Sequence, residues 1–404
     1  MVTIGDDIYM PNRVNGIIEY SIKNVDYYRN LGLKPNCSIE SFPVLTKKVL
    51  QDSPGSLLSD DELSNINNLL IKSSSGSSGM PTSVYWSQNG YMQSMRTLWK
   101  KRIKFHSIYP NSMELKFTNS SLDTDQWLDI KKNGMSVSRS ILNDHSKIEK
   151  LFYYINRLNI EWMYIQPYVA VNLMTFIREN RVLLPPSLRY LEFAGEMLPS
   201  EVREEAQKVF NVPVANMYGS EEMNGIAYEC PYGVMHVLQD NVWVETSQKD
   251  EGEIIITSLT NYAMPLLRYK QGDIVVLDRI TNCKCGCSGL VIKSILGRSY
   301  ENIAVGNSQI NPYILITVME HVNNQTGRHI KQYKFVWYAH SKQMHLYIKS
   351  DLDGIEIMGI IKALVQRKLI EISITMDLQH IRFVKEMPTE FGKYSILKIV
   401  DEEV

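Results

Sequence analysis

Between residues 188 and 217 the chain alternates a short apolar run, an amphipathic run and a second short apolar run, and this rhythm restricts its fold more than any other feature. Residues 188–193 (LRYLEF) read as a strand that stops at Ala194-Gly195-Glu196. Residues 198–210 read as a helix opened by Pro199 and Ser200, with acids in its first turn. Residues 212–217 read as a second strand, running into Tyr218-Gly219-Ser220-Glu221-Glu222. Parallel neighbours need a crossover long enough to hold a helix, so this order predicts a parallel sheet in an α/β protein. Ligands of such sheets gather beyond the carboxyl ends of the strands, where Gly195-Glu196 and Tyr218-Gly219 are expected to lie.

A second feature lies upstream, at residues 73–83 (SSSGSSGMPTS). It follows an apolar run at 63–71 that reads as helical and precedes Val84-Tyr85-Trp86, which reads as a strand. Ser74, Ser75, Gly76, Ser77, Ser78 and Gly79 offer backbone N–H and hydroxyl donors that can converge on an anion, phosphate above all. The composition also suits a flexible linker, but Pro81 and the adjoining strand favour a fixed loop. The stretch lacks a Gly-Lys-Ser/Thr ending and is therefore not an ordinary P-loop.

The remaining periodicities fill in the frame. Helices are expected over 89–105 and 147–158, and a strand over 162–165 ahead of Gln166-Pro167-Tyr168. Residues 253–277 are strand-rich around PLLRYKQGD and predict an antiparallel, barrel-like region. Beyond Arg298 two alternating strands (331–338 and 343–349) and a helix (355–368) predict a small α+β domain. The expected division is 1–296 and 297–404, at Leu296-Gly297-Arg298-Ser299. A chain of 404 residues with 44% apolar content can bury two or three cores. Its net charge of −1 gives no reason to expect a nucleic-acid partner. No apolar run is long enough to span a bilayer, and the acidic first residues do not form a secretory signal, so a cytoplasmic protein is expected. Three of the five cysteines crowd into Cys283-Lys284-Cys285-Gly286-Cys287, which in a reducing compartment points to metal before disulfides.

Taken in order, five segments resemble the motifs of the adenylate-forming enzyme superfamily. They are the Ser/Gly loop, YGSEE (Tyr-Gly-x-x-Glu), RYKQGD (Arg-Tyr-x-x-Gly-Asp), GRSYEN (Gly-Arg-x-Asp) and PTEFGK, ending at Lys393. The ECPYG…H and Cys-x-Cys insertions resemble the branch that contains phenylacetate–CoA ligases and CapK-like proteins. The resemblance implies a large adenylating α/β domain, with parallel sheets and a small barrel region, and a mobile C-terminal α+β lid. It implies activation of an aryl or other small carboxylic acid by ATP and Mg²⁺, then transfer of the acyl group to CoA. An amine acceptor, in surface polysaccharide or natural-product biosynthesis, and a non-catalytic nucleotide-binding relative are the alternatives.

The resemblance also distributes roles. The 74–79 donors would hold the β- and γ-phosphates, Gly195 and Glu196 would border the adenine, and Tyr218, beside Gly219, would stack on it. Asp273 would accept from the ribose hydroxyls, with Arg268 supporting that motif. Glu222 would ligate Mg²⁺, Arg298 would approach from the hinge, and Lys393 would stabilise the transferring phosphate. Tyr164, Pro167 and Tyr168 are the expected lining of the acid pocket. Two positions depart from the pattern: Met80 stands where many relatives have lysine, and Tyr300 replaces the hinge aspartate.

Cys230 and His236 lie about fifty residues before Cys283 and Cys285. Two short segments with thiolate and imidazole donors suit tetrahedral Zn²⁺. Resemblance to the same branch supports these four as ligands of a structural zinc, with Cys287 able to replace a late cysteine.

Overall fold

The computed structural model describes residues 10–73, 82–118, 126–298, 303–305, 308–310, 312–326, 330, 332–349, 355–371, 378–385, 387 and 396–400. The chain is α/β and divides into two compact units, Met1–Pro110 with Ala215–Ile295, and Asn111–Val214 with Leu296–Val404. No helix among the described residues is long and apolar enough to cross a membrane.

The first unit begins with helices α1 (Met10–Asn24), α2 (Asp26–Arg29), α3 (Lys47–Asp52) and α4 (Asp60–Leu63). The run expected to be helical at 63–71 is not. It becomes a 3₁₀ turn at Ile66–Asn68 and then strand β1 (Leu70–Ser73). Ser64, Asn65, Asn67 and Asn68 compete for backbone hydrogen bonds and break a helix that the leucines alone would allow. Strand β2 (Ser83–Trp86) pairs antiparallel with β1, and helix α5 (Gln88–His106) follows. Ser87 caps α5 by accepting the Gly90 N–H at 3.1 Å.

In the second unit the expected parallel sheet is present. Its strands are β3 (Glu114–Thr118), β4 (Leu128–Lys131), β5 (Gly134–Ser138), β6 (Trp162–Ile165) and β7 (Tyr190–Ala194), in the order β7-β6-β3-β5-β4. All neighbours are parallel except β4, which is antiparallel to β5. Helices α6 (His145–Arg157), α7 (Pro167–Asn180) and α8 (Ser200–Phe210) make the crossovers. Alternation sends Leu115, Val137, Met163 and Phe193 into one core with these helices. The opposite face carries Lys116, Tyr164 and Glu192.

The chain returns to the first unit with β8 (Val214–Ser220), β9 (Asn224–Glu229), β10 (Met235–Val237), β11 (Val242–Thr246), β12 (Glu251–Ser258), β13 (Tyr269–Ile280) and β14 (Gly289–Arg298). Their order is β11-β12-β13-β14-β10-β9-β8. β8/β9, β9/β10, β10/β14, β11/β12 and β12/β13 are all antiparallel.

The last stretch forms β15 (Ile303–Val305), β16 (Ser308–Ile310), α9 (Pro312–Thr326), β17 (Tyr333–Tyr338), β18 (Gln343–Lys349), α10 (Ile355–Glu371), β19 (Leu378–Val384) and β20 (Leu397–Val400). A four-stranded sheet, β19-β18-β17-β20, shares a core of its own with α9 and α10, including Leu315, Phe335, Leu346, Ile361 and Val365.

His345 on β18 is 5% exposed, and neither ring nitrogen has a partner among the described residues. Its ring lies 4.7 Å from Tyr338 and 4.8 Å from His380. Burial first, then His380 and Arg382, lowers its pKa from the ordinary value. The unfolded chain therefore binds this proton more readily than the folded one, and acidification below about 6.5 destabilises the fold. Replacing His345 with Phe is expected to narrow the gap between the unfolding midpoints at pH 5.5 and 7.5. An unchanged gap would remove His345 as its source.

Candidate functional site

The Ser/Gly stretch connects two paired strand ends. β1 and β2 run in register from Leu70 opposite Trp86 to Ser73 opposite Ser83, where the two hydroxyl oxygens are 3.1 Å apart. Residues 74–79, Met80, Tyr300 and Lys393 lie outside the described residues. At the end of β2 the Trp86 indole N–H donates to the Glu221 carbonyl at 3.2 Å, tying this hairpin to the YGSEE segment.

Tyr218 and Gly219 do not stand at a free strand end, as the sequence suggests. β8 continues to Ser220 and turns directly into β9, so both residues sit inside an antiparallel pair with a register shift between them. A Cβ on Gly219 would lie 2.1 Å from the Asn224 carbonyl oxygen, so the turn requires glycine there.

Tyr218 donates its hydroxyl proton to Asp273 Oδ2 at 2.6 Å. Gln271 Nε2 donates to the same oxygen at 2.7 Å and to the Tyr218 hydroxyl at 3.1 Å. Asp273 is 6% exposed. β8 and β13 are four places apart in the sheet order, about 19 Å if the sheet were flat. The 2.6 Å contact therefore requires the antiparallel sheet to curl, which is the barrel-like character expected from the sequence. Glu222 is also buried, with the Tyr269 hydroxyl donating to its Oε1 at 3.4 Å. A buried carboxylate and a neighbouring hydroxyl are oxygen donors of the kind a hard divalent cation takes.

Arg268 is turned inward. It is 3% exposed at a φ of 52°, and its guanidinium donates to the carbonyls of Glu40 at 3.1 Å and Phe42 at 2.8 Å and pairs with Glu245 at 3.2 Å. Its position fastens the 40–42 segment beneath the RYKQGD strand.

In the second unit, Gly195 ends β7 at a φ of 80°, and Glu196 follows. Glu196 Oε1 pairs with Arg139 at 3.3 Å, and Oε2 accepts the backbone N–H of Tyr168 at 3.3 Å. Burial lowers the Arg139 pKa, opposed by Glu196 and then Tyr164. Pro167 opens α7, where its missing N–H costs nothing. Tyr164 is half-buried on β6, with Lys116 Nζ 5.4 Å from its ring centre. Arg298 is half-buried at the end of β14.

The cysteine cluster closes as expected. The ligand atoms of Cys230, His236, Cys283 and Cys285 all lie within 4.8 Å of one another. Tetrahedral zinc with bonds of about 2.3 Å sets thiolates about 3.8 Å apart. The Cys230 and Cys283 sulfurs are 3.9 Å apart, and Cys285 Sγ lies 3.3 Å from His236 Nε2, so the donor set fits that ion. Burial, then Lys101 and Lys104, lowers the His236 pKa and keeps the imidazole neutral, the form a metal takes. Burial pushes the Cys285 thiol up to about 12. Cys287 stands outside this set, with the ammonium groups of Lys101 and Lys104 on α5 each 3.5 Å from its sulfur.

Sequence reasoning missed Gln271, Arg139 and Gln166. Gln271 was visible inside RYKQGD but occupies one of its variable positions. Gln166 directly follows β6, which placed it at a strand's carboxyl end. Arg139 carries no such mark.

The family model for AMP-binding enzymes matches residues 38–250. The chain is 25% identical to protein CapK of Staphylococcus aureus over 309 residues, 72% of this chain and 67% of CapK. It is 29% identical to the phenylacetate–coenzyme A ligase of Thermus thermophilus over 139 residues, 31% of each protein, so that match spans less than a third of the ligase. The fold is similar to 2-hydroxyisobutyryl-CoA ligase in the postadenylation state in complex with 2-HIB-AMP. The TM-score is 0.75 at 16% identity, covering 97% of this chain and 89% of the other.

Proposed function

The chain belongs to the AMP-binding enzyme family, and from that premise we propose that it activates a small carboxylic acid as an acyl-adenylate and passes the acyl group to the thiol of CoA. A carboxylate oxygen attacks the α-phosphorus of ATP, and the bond to the bridging oxygen of pyrophosphate breaks. The thiol sulfur then attacks the acyl carbon and loses its proton, and AMP departs with the bonding electrons. Neither step needs a protein nucleophile; both need positioning and charge stabilisation.

The observation that carries this reading is the cluster of Tyr218, Gln271 and Asp273. A buried carboxylate held rigid beside an aromatic ring suits a ribose and its base. In this reading Asp273 accepts from the ribose hydroxyls and Tyr218 stacks on the adenine. Residues 74–79 donate to the β- and γ-phosphates. Glu222 would hold Mg²⁺, which neutralises phosphate charge when bound. Residues 297–404 act as a lid that brings Lys393 to the α-phosphate for the first step and withdraws it for the second, with Arg298 at the hinge. Cys230, His236, Cys283 and Cys285 would hold a structural Zn²⁺ with no open position, joining two hairpins without entering the chemistry.

The test is ATP–pyrophosphate exchange across a carboxylic acid library, followed by AMP release with CoA or with amines. Acid-dependent exchange with CoA-dependent AMP release is the expected result. Exchange completed only by an amine would move the acceptor to that class, and ATP binding with no exchange for any acid would overturn the activity.

A further inference from the structure

The carboxyl ends of β5, β6 and β7 carry a polar frame. Arg139, one residue beyond β5, pairs with Glu196, two residues beyond β7, at 3.3 Å. The sheet order places β6 and β3 between those two strands, so this ion pair spans the end of β6. Gln166 follows β6 directly. Its side chain lies beside Gly195, where a Cβ would meet Gln166 Cγ at 3.9 Å.

Gln166 is 5% exposed, and its amide oxygen accepts from no donor among the described residues. It stands at the N-cap position of α7, yet its side chain does not cap the helix. A buried amide oxygen left without a donor is costly, and a glutamine kept there without a capping duty needs another partner. Tyr164, with Lys116 against its ring, adds a hydroxyl on the same strand. An acid with a plain aryl or alkyl body would leave the Gln166 oxygen without a donor.

We propose that the acid activated here is a polar one, carrying a hydroxyl or amino donor that Gln166 accepts, with Arg139 fixed by Glu196 as the wall opposite. The proposal rests on the adenylating activity put forward above. A site built around a hydrogen bond rejects analogues that lack the donor far more strongly than an apolar pocket separates homologues.

The test is pyrophosphate exchange with pairs of acids that differ only in one hydroxyl or amino group, for the unaltered protein and for Gln166→Leu. The expected result is a kcat/KM preference of about 100-fold or more for the acid with the donor. Gln166→Leu should erase most of that preference with the KM for ATP unchanged and the unfolding midpoint the same or higher, and Gln166→Asn should restore part of the preference. Equal use of both members of every pair would overturn the proposal while leaving the activity standing. A rise in the KM for ATP alone would also overturn it, by moving Gln166 to the nucleotide. Exchange with no acid at all, despite ATP binding, would remove the activity and this proposal together.

Discussion

Replacing Asp273 with Ala is expected to lower kcat/KM for ATP on the order of 10³-fold. Each hydrogen bond to a charged group contributes about 1.5–3 kcal/mol, and a carboxylate serving both ribose hydroxyls makes two. The same change releases Tyr218 and Gln271, which now meet on one carboxylate oxygen, so the aromatic ring also loses its anchor. Tyr218→Phe separates these contributions. It removes the 2.6 Å hydrogen bond to Asp273 and the 3.1 Å one from Gln271, keeps the carboxylate, and is expected to cost about tenfold. Exchange kinetics with a nucleotide-binding titration check both variants. An Asp273→Ala protein that uses ATP within threefold of the original would end the assignment of this cluster to the ribose.

The second large effect is on stability. Stripping metal with a chelator, or replacing Cys283 with Ser, is expected to cost about 3 kcal/mol or more, lowering the unfolding midpoint by roughly 6–12 °C. Cys230 and Cys283 are buried with sulfurs 3.9 Å apart, and a serine there leaves one ligand short in a closed shell. Cys287→Ser should leave metal content unchanged, because Cys287 stands outside the four-ligand set and meets Lys101 and Lys104. Elemental analysis and thermal unfolding read out both. A purified protein without stoichiometric metal and with the same midpoint after chelation would eliminate the centre.

The parts legible in the sequence were those governed by local pattern. The strand–helix–strand rhythm over 188–217 is present as β7, α8 and β8, since alternation and crossover length are local properties. The cysteine cluster was legible because CKCGC and Cys230…His236 are each compact, and the structure brings both segments together. What failed depended on pairings and competitions that periodicity does not record. Tyr218 reads as a strand terminus, yet β9 returns immediately to pair with it, and only the Gly219–Asn224 approach reveals why. The 63–71 run has helical leucines but too many asparagines, a contest that composition alone does not decide. Arg139 and Glu196 are 57 residues apart, and nothing near either one announces the other.

The separate core of the last stretch bears on how such a chain can change over time. Leu315, Phe335, Leu346, Ile361 and Val365 are buried among one another in a cluster distinct from those of the preceding residues. Substitutions among these five side chains are therefore answered first by one another. Recombination at the end of β14 would keep this core whole but would also replace Lys393, so under the mechanism proposed above an exchanged segment must bring its own lysine. Exchange of this segment is then confined to donors that carry both a matching core and that lysine.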